Sequence, residues 1–302
     1  ESGFCTKPAY TLSQAQAQGG RFAKALGCSD SDATKALACL QGKTPTELVN
    51  GAQQADPLPG GILYQERSAQ TVFEPIVDGV DLTMQPRELL AKGKLADVPL
   101  LHGANADEGV LFHASVLGNV VPVADQKEYE AALGRVYEAS DVAKIVAQYP
   151  VKDYASANDA LSAVSGDAAF LCPARTTARL LQAQGATSYE YQFSALLDGG
   201  PIPALKGKAF HSGELPYVWG NPYALGKIAA GSEAVADAMQ DAFLAFAKTG
   251  DPNAAGAASP WPAYDSKADK AMHFAATSAE VTSGVREEQC DFWDTIVPKL
   301  QP

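Results

Sequence analysis

The chain has 302 residues, 46% apolar and 19% charged, with a formal net charge of −12. This composition is ordinary for a globular protein and supplies a full hydrophobic core, in one large domain or two small ones. The acidity argues against a nucleic-acid surface, which needs clustered Lys and Arg, and no apolar run approaches the roughly 20 residues that span a bilayer.

The amino terminus, ESGFCTKPAY, lacks the basic start and apolar stretch of a signal peptide, and it lacks an initiator Met; a processed or excised chain is expected. Ser13 with Gln16 has the spacing of a capping box, opening a helix that Gly27 ends. Cys28 and Cys39 flank a polar loop and the run SDATKALA, a span suited to a local disulfide; two buried thiols are the alternative. Such a bridge would stabilise by about 3 kcal/mol in the chain-entropy model. No C-x-x-C occurs, which argues against a zinc ribbon or a thioredoxin-type site, and the expected disulfide favours an oxidising compartment, periplasmic or secreted.

Thr44-Pro45-Thr46-Glu47 combines an N-cap, a Pro at the first helical position and an acid at the third. DPLPGG at 56–61 has the composition of a surface loop, and Pro86 and Gly93 bracket a short helix. Val98 to Leu101 is an apolar run without alternation, as in a strand buried on both faces; it stops at Gly103, before a turn-rich loop. Ser188 to Phe193, SYEYQF, alternates like a half-buried strand, and a loop follows at 197–207. Ser232 starts a long helix whose Val235, Met239, Phe243 and Phe246 form a core stripe and whose stop is Gly250. A weaker strand lies around Met272 to Phe274. The element order predicts α/β layers. Three strands alone would leave an uncovered edge, so further strands are expected from sequence outside this chain.

Functional groups of open α/β sheets gather beyond the carboxyl ends of the strands. The loop 104–109 therefore offers Glu108, with Asp107 as competitor and a solvated loop acid as the plain alternative. Of the four histidines, His211 stands out because it follows a Gly/Pro-rich loop after a strand, although a surface side chain would look the same. His102 and His273 lie in or beside strand-like runs and suit structural roles, and His113 is expected to begin a helix. The histidines have no metal-ligand spacing, and no phosphate loop or dinucleotide fingerprint occurs, so neither metal nor cofactor is expected. A metal-dependent hydrolase is correspondingly a weak third reading. No G-x-S-x-G occurs anywhere.

Five segments in order carry a resemblance: FEPIVDG at 73–79 with VPLLHGANADEG at 98–109, FHSGELPYVWG at 210–220, FAKTGDPN at 246–253, SPWPAY at 259–264 and EEQCDFWD at 287–294. Together they resemble the C-terminal part of the type-B carboxylesterases, the family that includes cholinesterases and many bacterial and fungal esterases and lipases. The resemblance implies an α/β fold: one domain portion spanning 1–302, with a mostly parallel central sheet flanked by helices and completed by an N-terminal segment not in this chain. It maps the triad acid onto Glu108 rather than Asp107, the triad histidine onto His211, and a buried family glutamate onto Glu214. ESG at the start is similar to a segment following the nucleophile helix, which puts Ser2 near the triad. It further implies disulfides Cys28–Cys39 and Cys172–Cys290, leaving Cys5 over.

The nucleophile and the glycine-rich oxyanion loop would lie upstream, on an N-terminal fragment of the same protein that partners this chain. The implied activity is hydrolysis of a small-molecule carboxylic ester through a serine acyl-enzyme. The alternative is a non-catalytic adhesion or binding module of the same fold, as in neuroligin-like relatives; presence of both Glu108 and His211 favours the enzyme. Tyr64, Phe73, Phe210 and Trp219 are candidate aromatic walls, each also explained by packing.

Overall fold

A computed structural model describes residues 9–54, 75–94, 96, 98–114, 122–253 and 259–296. Ser2, Cys5, the loop 56–61, Tyr64 and Phe73 lie outside the described residues. Strand β1 (Tyr10–Thr11) runs into helix α1 (Leu12–Ala25). The capping box is at Thr11 and Gln14, two residues earlier than the Ser13 box expected: Thr11 N–H donates to Gln14 Oε1 at 2.9 Å, and Gln14 N–H to Thr11 Oγ1 at 3.3 Å. Ser13 falls within the first turn, its hydroxyl against that of Thr11. Gly27, at φ +69°, closes the helix as expected.

Asp32 caps α2 (Ala33–Gln41), and the Cys28–Cys39 disulfide fastens it to the end of α1. Thr44 and Glu47 form the expected reciprocal cap of α3 (Pro45–Gln54). Strand β2 (Ile76–Val77) pairs in parallel with β1, and α4 (Pro86–Ala91) precedes the main sheet.

That sheet starts with β3 (Leu100–Asn105), two residues later and four residues longer at its end than the apolar run predicted. Pro99 has no N–H to give, so the ladder begins with Leu100 N–H donating to the Thr187 carbonyl. Gly103 is not the stop it resembles. A Cβ there would stand 2.2 Å from the Tyr191 carbonyl oxygen, and glycine lets the two strands meet.

The chain then builds a helical layer from α5 (Gly109–His113), α6 (Gln126–Gly134), α7 (Ala139–Gln148) and α8 (Ala157–Gly166), with α9 (Cys172–Ala183) after a π turn at Asp167–Leu171. Strand β4 (Ser188–Phe193) returns parallel to β3, with Leu100 opposite Ser188 and Asn105 opposite Phe193. The short strands β5 (Leu197–Asp198) and β6 (Lys227–Ile228) pair with each other, α10 (Leu215–Trp219) lying between them. After α11 (Glu233–Thr249), β7 (Lys270–Phe274) adds in parallel to β4, β8 (Ala279–Ser283) adds antiparallel at the edge, and α12 (Glu287–Trp293) follows. The four-stranded order is β3-β4-β7-β8, a mixed sheet with three parallel strands.

One sheet face is aromatic: Tyr189, Tyr191, Phe193, Met272 and Phe274 pack on Tyr217, Val235, Met239 and Trp261. The other face is covered too, which is why the alternation in SYEYQF does not mark a solvent side. Buried Ser188 and Glu190 lie under α9. There the buried Arg175 forks onto Asp269 and also reaches Asp291 at 2.9 Å. Burial alone would raise the Asp269 carboxyl, but hydrogen bonds from Arg175 and Tyr264 hold it below the usual carboxylate range.

A second core joins Tyr129, Leu133, Ile145, Tyr149 and Leu161 of the helical layer with Trp293 of α12. The Cys172–Cys290 disulfide ties α9 to α12 across 118 residues, a closure worth about 4–5 kcal/mol in the chain-entropy model. Among the described residues no helix is long and apolar enough to cross a membrane.

Candidate active site

Strand β3 delivers its carboxyl end to the edge where residues 209–214 arrive from the loop after β5. The two loops clasp through Asp107. Its N–H donates to the Ala209 carbonyl, and its Oδ2 accepts from the Ala209 N–H, both at 2.9 Å. Asp107 is thereby committed to backbone, which separates it from Glu108.

Glu108 is fully buried, and its Oε2 stands 2.7 Å from Nδ1 of His211. Its other oxygen, Oε1, accepts the Asn105 N–H at 2.7 Å. A carboxylate facing Nδ1 keeps the proton of a neutral imidazole on that nitrogen and leaves Nε2 as the basic lone pair. The His211 side chain is 23% exposed, so the pair joins a dry acid to a ring within reach of a ligand. The rings of Phe112 and Phe170 hold the imidazole from the sides, with centroids at 5.1 and 5.0 Å. Phe170 comes from the π turn, a helix irregularity of the kind often found beside functional sites. Immediately after His211, Ser212 adopts the left-handed region at φ +69° and turns the chain toward α10.

Glu214 is buried and accepts a hydrogen bond from Asn105 Nδ2, which also donates to the Phe210 carbonyl at 2.8 Å. Of the expected site residues, Glu108, His211 and Glu214 therefore converge, while Ser2 lies outside the described residues. Sequence reasoning misses Asn105. The signal available is the N-x-x-E spacing at a strand end, which is that of a capping box; half of that box forms here.

The other histidines are elsewhere. His113 ends α5 rather than beginning a helix, because the helix already starts at Gly109; it lies buried with Nε2 2.7 Å from Ser165 Oγ. His273 Nε2 meets Ser194 Oγ at 2.6 Å, and His102 is held in β3. Burial pushes both His102 and His113 down to about 4, as expected for neutral structural imidazoles. Phe210 packs with Leu111 and Leu205, whereas Trp219 is 70% exposed. Among the described residues no three His, Cys, Asp or Glu side chains gather as metal ligands would.

Residues 1–293 match the family model described as the carboxylesterase family. The chain belongs to the carboxylesterase family. It is 27% identical to mouse (Mus musculus) cholinesterase over 294 residues, covering 92% of this chain and 47% of that protein. It is 28% identical over 255 residues to the "Crystal protein" of Dictyostelium discoideum, covering 81% of this chain and 44% of that one. This carboxylesterase-family chain thus spans less than half the length of these relatives. Family membership implies an α/β-hydrolase fold, and the helices and mixed sheet agree with it.

Proposed function

We propose that this chain is the C-terminal portion of an α/β-hydrolase domain and supplies the acid and the histidine of a serine ester hydrolase. The 2.7 Å contact between Glu108 Oε2 and His211 Nδ1 carries the reading. The attacking serine is assigned to an N-terminal segment of the same protein outside this chain, which would also complete the sheet. Two facts support that assignment: the 302 residues contain no G-x-S-x-G, and the relatives are about twice as long.

In this mechanism His211 Nε2 takes the serine proton as the oxygen bonds to the carbonyl carbon of a small-molecule ester. The same proton passes to the leaving alcohol as the ester C–O bond breaks. Water, deprotonated by His211 in turn, then displaces the acid and restores the serine. Glu108 holds the tautomer and stabilises the imidazolium in each half-reaction. Backbone N–H groups of the outside segment would bind the oxyanion, a contribution typically worth about 100- to 1000-fold in rate. Glu214 and Ser2 are assigned supporting places behind the pair. The two disulfides support secretion or periplasmic residence.

A non-catalytic binding module is the second reading, favoured by one relative whose name, "Crystal protein", carries no reaction. The residue at the upstream elbow separates the two: serine supports the enzyme, glycine or alanine the binder. Intact mass and amino-terminal sequencing of the purified protein, followed by an assay on p-nitrophenyl esters, tests the proposal. A companion segment with G-x-S-x-G and measurable turnover is expected; a protein without that serine, or one inert to esters, would sink it.

A further inference from the structure

The amide of Asn105 is fully buried, and its two N–H bonds go to two different parts of the histidine loop. Both neighbours, the Phe210 carbonyl oxygen and the Glu214 carboxylate, accept hydrogen bonds, so the amide orientation follows from chemistry: Nδ2 must face them. Its main-chain N–H meanwhile binds Glu108 Oε1, at 2.7 Å. One residue at the end of β3 therefore restrains the acid, the residue before the histidine and the glutamate three positions after it. Phe210 and Glu214 are separated from Asn105 by 105 and 109 residues of chain, so these bonds fix one distant loop against the other.

We infer that Asn105 is the positioning residue that sets the His211 ring on the Glu108 carboxylate, a role resting on the ester-hydrolysis reading of that pair. It touches no reacting atom. It acts by fixing where the loop 210–214 stands relative to the acid, and misplacement of such a pair by about 1 Å costs on the order of 100-fold in rate.

The test is Asn105→Asp in the complete protein. The introduced carboxylate cannot donate to Phe210 or Glu214 and sets its charge against the carboxylates of Glu108 and Glu214. A fall in kcat of about 10- to 100-fold with KM nearly unchanged is expected on p-nitrophenyl esters. In ¹⁵N-histidine spectra, the far-downfield Nδ1 proton of His211 should move or vanish. The double variant Asn105→Asp/Glu214→Gln reverses the donor and acceptor and should recover the resonance and part of the rate. Where Asn105→Asp does not fold, Asn105→Ser, which keeps a single donor, is read in the same way. A folded variant with wild-type kcat and an unmoved resonance overturns the assignment. If the wild-type protein hydrolyses no ester, the ester reading alone falls, and the resonance still decides whether Asn105 positions His211.

Discussion

A Cβ on Gly109 would stand 2.0 Å from the carbonyl oxygen of Ser162. Helices α5 and α8 thus meet backbone to backbone one residue after Glu108, whereas a Cβ on Gly166 would rest in ordinary van der Waals contact with Glu108 Cβ, at 3.6 Å. Gly109→Ala should push α5 away and carry the carboxylate with it. A loss of about 1–3 kcal/mol is expected in urea denaturation, together with reduced esterase turnover. An unchanged midpoint would show that α5 yields without cost.

His211→Ala removes the proposed proton carrier without disturbing a large core. Turnover of p-nitrophenyl esters should drop by roughly 10⁴-fold or more, while the unfolding midpoint stays near that of the wild type. Glu108→Gln should cost about 10⁴-fold by favouring the wrong tautomer. Wild-type rates in either variant would remove the pair from the mechanism.

Stability should depend on pH through Glu190. Burial, with the charge of Asp269 adding to it, raises this carboxyl to about 8. An unfolded glutamate ionises near 4.3, so between about 4.3 and about 8 the unfolded chain releases a proton that the folded chain keeps. Stability therefore falls as pH rises through that window, by up to about 1.4 kcal/mol per pH unit, and levels off above it. Glu190→Gln is neutral throughout and should gain on the wild type progressively from about pH 5 to about pH 8. Urea midpoints of the two proteins that run parallel over this range would contradict the assignment.

Tyr149 links the helical layer to α12. Its hydroxyl donates to Asp167 Oδ2 at 2.7 Å and accepts from Trp293 Nε1 at 2.8 Å, while Arg286 binds the same Asp167. Tyr149→Phe leaves the buried Asp167 and the half-buried Trp293 each short of a bond and should cost about 1–3 kcal/mol, measured by denaturant unfolding. A value near zero would mean that water takes over the missing bonds.

Much of this architecture is legible in the chain because short-range chemistry governs it. The Thr44–Glu47 cap, the Pro86 start, the Val235–Met239 stripe and the Gly250 stop all depend on neighbours within one or two helical turns. What escapes a local reading depends on distant partners. Gly103-Ala104-Asn105 has turn-like composition, yet it is strand because Tyr191 lies against it. Ser188 and Glu190 of SYEYQF are buried because α9 covers them, a fact no local period contains. Strand β8 is short and half-exposed at a sheet edge, with little apolar signal to find. In the site, Glu108 and His211 stand out through strand ends, loops and family motifs. Asn105 does not, because its amide acts on residues more than 100 positions away.

The Cys172–Cys290 bridge has a consequence for any protease that reaches the chain. A single cut between those two cysteines would yield two pieces that still travel together, as one band on a non-reducing gel and two after thiol treatment. Damage to the intervening loops would thus leave the halves of the molecule leashed, and able to find each other again after unfolding.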